Sequence, residues 1–182
     1  MSTIGIPTSS GVSIENKNYI EYFNKKLGHI PNIYAAMMHS ENAFITYYAF
    51  HSRRTSLSIK EWEAISLVVS QVNKSLYGLS EHTMIGMLNG FSETEIMQLR
   101  SGVADFDRKL NSLVQLVKNM MEQKGKVDTS LMDNFLSEGY TPEHLVDVLL
   151  VVGDNFITNF TGKVLDVPID FPLAKELQNE NK

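Results

Sequence analysis

Cysteine is absent from all 182 residues of this chain. That absence excludes disulfides, thiolate metal ligands and any thiol nucleophile supplied by the chain itself. Basic residues are scattered and the formal net charge is −5, which argues against the concentrated basic face that a nucleic-acid partner requires. Long hydrophobic runs are missing too. The longest nearly apolar stretch, Leu145–Val152, is interrupted by Asp147 and is too short to span a bilayer. The first residues, MSTIGIPTSSGVSIENK, offer neither a basic n-region nor an apolar h-region, so no signal peptide is expected. A cytoplasmic protein with no membrane partner fits these absences. Alternating strand patterns are also lacking.

What is present is an ordinary globular composition, 43% hydrophobic and 20% charged, in a chain long enough for one well-cored domain. Helix starts are written out explicitly. Leu57-Ser58-Ile59-Lys60-Glu61-Trp62 supplies a Ser cap, a Glu three residues on and an apolar staple. Phe91-Ser92-Glu93-Thr94-Glu95-Ile96 repeats the pattern, and Tyr140-Thr141-Pro142-Glu143-His144-Leu145 adds a proline at the first helical position. Gly90 and Gly139 precede the last two staples, where a preceding helix should end. These signals predict helices over about 14–27, 31–38, 41–55, 59–73, 75–89, 93–101, 106–123, 129–138 and 142–164. The expectation is an all-α single domain, 1–182, of about eight or nine helices. An N-terminal loop covers about 1–13, and a peripheral charged tail runs from about 167 to 182. Leu67-Val68-Val69 and Leu150-Val151-Val152 follow similar caps, which permits two weakly repeated helical halves or merely two similar core helices.

The segment 58–90 carries the chemistry. Glu63 lies in an apolar helix that ends near Asn73, and Ser75, Gly78 and His82 follow in i, i+3, i+7 register on one stripe. Glycine inside a helix costs roughly 1 kcal/mol against alanine. Gly78 therefore marks a close approach, either of a packed neighbour or of a ligand. His82 is either a satisfied core residue or an acid/base group. If the two helices pair antiparallel, Glu63 meets His82, orients the imidazole and raises its pKa. Ser75 lies about 10 Å along the helix from His82, too far for a direct hydrogen bond, and fits a helix cap or a small pocket residue. Tyr77 is either core or a phenol for the pocket. Glu81 falls off the stripe and is expected to face solvent. His29, His39, His51 and His144 show no paired ligand spacing, so neither a metal nor another cofactor is expected.

This layout resembles the alkylhydroperoxidase D / carboxymuconolactone decarboxylase superfamily, in which Glu, an apolar run and Asn precede Cys-x-x-Cys-x-x-x-His. Glu63, Asn73 and His82 match that pattern, whereas Ser75 and Gly78 stand at the cysteine positions. Pro31-Asn32 resembles the family's opening Gly-x-x-Pro-Asn, although Gly28 here precedes His29. Asn155-Phe156 with Pro168-Ile169-Asp170 resembles its closing segment, and Lys163 stands where many relatives carry His. The resemblance implies an AhpD-like helical domain assembled as a dimer, trimer or hexamer. The family's thiol peroxidase cycle is excluded here, because serine cannot pass through a sulfenic acid and disulfide and glycine has no side chain.

Three functions stay open at this point. The first is a non-redox oligomeric binding or scaffold protein that has lost its thiol chemistry, with a small-molecule ligand as a further partner. The second is an acid/base enzyme of decarboxylase or lactone type, with Glu63 and His82 as its catalytic pair. The third is residual peroxide handling by a non-thiol route.

Overall fold

The computed structural model describes residues 5–7 and 11–177. Among them are nine helices and no strand: α1 Ile14–Leu27, α2 Asn32–Met37, α3 Ala43–His51, α4 Ile59–Val72, α5 Leu76–Leu88, α6 Glu93–Ser101, α7 Arg108–Glu122, α8 Thr129–Ser137 and α9 Pro142–Val164. The expected starts are real caps. Ser58 Oγ accepts from the Glu61 amide at 3.2 Å while Glu61 Oε2 accepts from the Ser58 amide at 2.8 Å. Ser92 and Glu95 repeat this box, and Thr141 pairs likewise with His144. Each box satisfies amides that a helix start leaves free. Gly90 and Gly139 take φ values of 89° and 91°, the left-handed region in which a Cβ is strained.

Helix α4 is the central element. It packs against α5, α6, α7 and α9, and its residues from Glu63 to Ser70 are all buried. A large aliphatic core forms around it from Ile65, Leu67, Leu99, Leu113, Leu116 and Val151, among others. A second core joins α1, α2 and α3 and is aromatic. There Phe23, Tyr34, Phe44 and Tyr48 pack with ring centroids 5.4–6.3 Å apart, a separation at which tilted and edge contacts are favourable.

Two expectations need correction. Helix α3 ends at His51 rather than near residue 55, because Arg53 turns back to bond the Phe50 carbonyl and Asp154. Over 167–177 the C-terminal segment lies at the surface but is docked. Val167 is buried in the aromatic core, Ala174 N donates to Ser80 Oγ at 3.1 Å, and Arg100 Nη1 donates to the Lys175 carbonyl at 2.7 Å. Residues 178–182, the rest of the expected tail, lie outside the described residues.

One face of α9 remains uncovered. Val146, Leu149, Phe156, Ile157, Phe160 and Val164 are exposed on it. By length and composition α9 is the one helix among the described residues apolar enough to cross a membrane, yet its other face carries Val148, Val151, Asp154, Asn155 and Asn159 into the core.

Candidate active site

Asn73 caps the end of α4, Lys74 reverses the chain with a φ of 51°, and Ser75 caps the start of α5. The two helices therefore form an antiparallel hairpin. Antiparallel pairing brings Glu63 and His82 side by side across the two helices. Glu63 Oε2 and His82 Nδ1 are 2.9 Å apart, both buried. The pair foreseen from the sequence is thus formed. With Nδ1 committed to Glu63, Nε2 is the ring nitrogen left for any other partner.

His82 lines a small cavity with Tyr34, Tyr47, His51, Glu81, Asp154 and Asn155. Its volume is about 20 Å³, enough for roughly one water molecule. Glu81 was expected to face solvent, but it is only partly exposed and lines this cavity. Helix α5 is covered on more than one side, by α4 and α9, so neighbouring positions 81 and 82 both reach the same space.

Across the cavity stands a second histidine–carboxylate pair. Asp154 Oδ1 accepts from the Tyr47 hydroxyl at 2.8 Å, and its Oδ2 lies 3.1 Å from His51 Nδ1 and 3.3 Å from Arg53 Nη1. These residues come from α3, its exit and α9. Asn155 Nδ2 donates to Ser66 Oγ and to the Val151 carbonyl, while its buried Oδ1 has no donor among the described residues.

The surroundings drive the titratable groups apart. Burial opposes a charged imidazole at His82, but the carboxylates of Glu63, Glu81 and Asp154 outweigh it, and its pKa is pushed up to about 9. His82 is then an imidazolium at neutral pH, a proton donor. Burial pushes the Glu81 carboxyl above its usual range; the neighbouring His82 opposes the shift and Glu63 adds to it. Asp154 goes the other way. Burial alone would raise it, but hydrogen bonds from His51, Tyr47 and Arg53 hold it below the usual carboxylate range. Two carboxyl groups on one cavity with opposite shifts, beside a charged imidazole, form an arrangement suited to proton transfer.

Ser75 and Gly78 lie elsewhere. Ser75 Oγ accepts from the Gly78 amide at 3.3 Å and acts as the α5 cap. Gly78 is buried, and a Cβ there would collide with Asn159 Oδ1 and Ser70 Oγ. Neither residue lines the cavity. Tyr77 also points away from it. Its hydroxyl accepts from the Ile33 amide at 3.1 Å and donates to Asp170 Oδ1 at 2.7 Å, while Asp170 Oδ2 accepts from the Asn32 amide at 2.8 Å. The Pro31-Asn32 turn and the Pro168-Ile169-Asp170 turn, far apart in sequence, are thereby clasped through α5. Lys163 Nζ donates to the Asn73 carbonyl at 2.8 Å.

Comparison of the whole architecture with solved structures decides the fold. An uncharacterized peroxidase-related protein from Silicibacter sp. TM1040 superposes with a TM-score of 0.80 at 21% identity, covering 90% of this chain and 88% of that one. The fold is AhpD-like. A second structure, described as an alkylhydroperoxidase AhpD core and an uncharacterized peroxidase-related protein from Ralstonia eutropha JMP134, gives a TM-score of 0.81 at 17% identity over 91% of this chain and 90% of that one. A cysteine-to-alanine variant of the debrominase Bmp8, in complex with 2,3,4-tribromopyrrole, gives 0.75 at 14% identity over 93% of each chain. No protein-family model and no curated protein sequence matches the chain. At these identities the likeness fixes the AhpD-like architecture and leaves the chemistry to be read from this chain's own residues.

Proposed function

We propose that this AhpD-like protein is a non-redox acid/base enzyme acting on a small lactone-type or carboxylated molecule. The observation that carries the reading is the buried Glu63–His82 pair at 2.9 Å, facing a cavity that Glu81 and Asp154 also line. The His82 imidazolium donates a proton through Nε2, and Glu63 holds the ring in orientation through Nδ1. Glu81, with its raised pKa, accepts or relays the second proton. Asp154 stays anionic and stabilises positive charge at the cavity wall. The water-sized space favours hydrolysis, with one water as co-reactant and the substrate's reacting group at the cavity mouth. Lactone opening then balances simply. Water loses a proton to Glu81 and adds to the carbonyl, and the ring C–O bond breaks as His82 protonates the leaving oxygen. The debrominase complex supports this reading to the extent that one protein of this architecture accepts a small ring compound.

The test is turnover of a panel of small lactones and β-keto acids by the wild type and by His82→Gln at pH 7. Hydrolysis or decarboxylation that falls at least about 100-fold in the variant, with its thermal midpoint unchanged, supports the proposal. Equal rates in both proteins, or no turnover by either, would sink it.

A second observation favours the oligomeric reading, which is compatible with the first. The exposed α9 residues Leu149, Phe156, Phe160 and Val164 recur at helical spacing, and a Cβ on Gly153 in their midst would meet nothing within 4 Å. A narrow apolar stripe with a glycine at its centre suits the same stripe of a second copy, crossing it about a two-fold axis. Sedimentation of the wild type should show an oligomer, and Phe160→Glu should yield a folded monomer. A monomeric wild type would remove this part of the proposal.

A further inference from the structure

A second cavity lies apart from the His82 site and shares no lining residue with it. Helices α5 and α6 and the docked C-terminal segment enclose about 530 Å³, within the range of roughly 300–1,000 Å³ typical of small-molecule sites. Most of its wall is apolar: Met84, Met87, Leu88, Ile96, Met97 and Leu173. Three methionines make a wall that can adapt to a flexible chain.

Its polar groups are few and one of them is unusual. Arg100 lines the cavity yet is only 4% exposed. Its Nε donates to Gln71 Oε1 at 2.9 Å and its Nη1 to the Lys175 carbonyl at 2.7 Å, with Met97 Sδ 3.5 Å away. Every one of these acceptors is neutral. Glu93, the one carboxylate in the cavity lining, is bonded to the Lys175 ammonium instead. A guanidinium stays charged under burial, and a buried charge without a counter-ion is costly. Thr83 also lines this cavity, and its buried Oγ1 has no hydrogen-bond partner among the described residues. Among the described residues Arg100 meets no carboxylate, and together with the Thr83 hydroxyl on an apolar wall it suits a molecule with a single anionic head and an apolar body.

We infer that this cavity binds an amphipathic monocarboxylate. Its carboxylate meets Arg100 and Thr83, and its hydrocarbon body lies along the methionine wall. A planar carboxylate matches the guanidinium fork better than a point charge does. The docked segment 172–175 forms one wall, so ligand and C-terminal segment should order together.

The test uses the full-length protein with sodium octanoate and with 1-octanol, which share a chain length and differ in charge. Binding is read by calorimetry and by the methyl NMR signals of the methionines. Octanoate should saturate one site per chain, at least ten times more tightly than octanol. The Met84, Met87 and Met97 methyl signals should shift, while buried Met120 stays still. Arg100→Gln should abolish the preference for the carboxylate, and Met97→Trp, which fills the cavity, should abolish binding of both compounds. Equal affinity for octanoate and octanol in the wild type would overturn the inference. So would shifts confined to other methionines, or undiminished binding in Met97→Trp.

Discussion

The side-chain amide of Asn159 occupies the space that a Cβ on Gly78 would need. Helix α9 closes against α5 at this position. Asn159 Oδ1 accepts from Ser70 Oγ at 3.3 Å, so the three helices α4, α5 and α9 meet at this point. The close approach anticipated at Gly78 is therefore a packing contact. The backbone spacing at Gly78 leaves no room for a larger side chain there.

Gly78→Ala tests that contact. Relief of the glycine helix penalty favours the variant by roughly 1 kcal/mol, whereas overpacking disfavours it by about 1–3 kcal/mol. The collision falls on two side chains of the packed interior, so net destabilisation is expected, and Gly78→Cys should be worse. In a double-mutant cycle, Asn159→Ala should make Gly78→Ala markedly less harmful, measured by urea unfolding. Additive effects of the two substitutions would show that the contact is not limiting.

Tyr77 gives a prediction at a distance. Tyr77→Phe leaves the buried Ile33 amide without its acceptor and frees Asp170 from one partner. A loss of about 1–3 kcal/mol is expected. Because Asp170 anchors the C-terminal segment, amide exchange over 167–177 should speed up more than exchange in α7. Uniform acceleration over the whole chain would contradict a local clasp.

The Glu63–His82 pair also sets a pH dependence of stability. The His82 pKa rises from 6.5 to about 9 on folding, so its stabilising contribution is complete below about pH 6.5 and fades as pH rises through 9. The contribution is on the order of 3 kcal/mol at most. Glu63→Gln should therefore cost most at pH 6, and the gap between wild type and variant should narrow towards pH 9.5 in urea titrations. A gap that stays constant with pH would mean that the pair carries no net charge interaction.

Much of this was legible in the sequence because its determinants are local. Ser58, Ser92 and Thr141 fix their helix starts within four residues, and Gly90 and Gly139 mark helix ends by backbone conformation alone. The Glu63–His82 pair was legible for a related reason: one short turn at Lys74 fixes the register of α4 against α5. The rest of the cavity is non-local. His51 and Asp154 stand on α3 and α9, more than a hundred positions apart, and no spacing rule connects them. Glu81 was misread because stripe logic assumes one buried face, whereas α5 is covered on more than one side. The C-terminal segment looked loose by composition, yet a few residues, Val167 and Asp170 among them, are enough to dock it.

In the proposed function His82 is a working acid, held as an imidazolium by Glu63 beside the cavity. Titration of the His82 ring nitrogens by ¹⁵N NMR tests this most directly. Both nitrogens should remain protonated through pH 7.5, with a midpoint near 9, and Glu63→Gln should move the midpoint down. A neutral His82 ring at pH 7, or a midpoint indifferent to Glu63→Gln, would contradict the account.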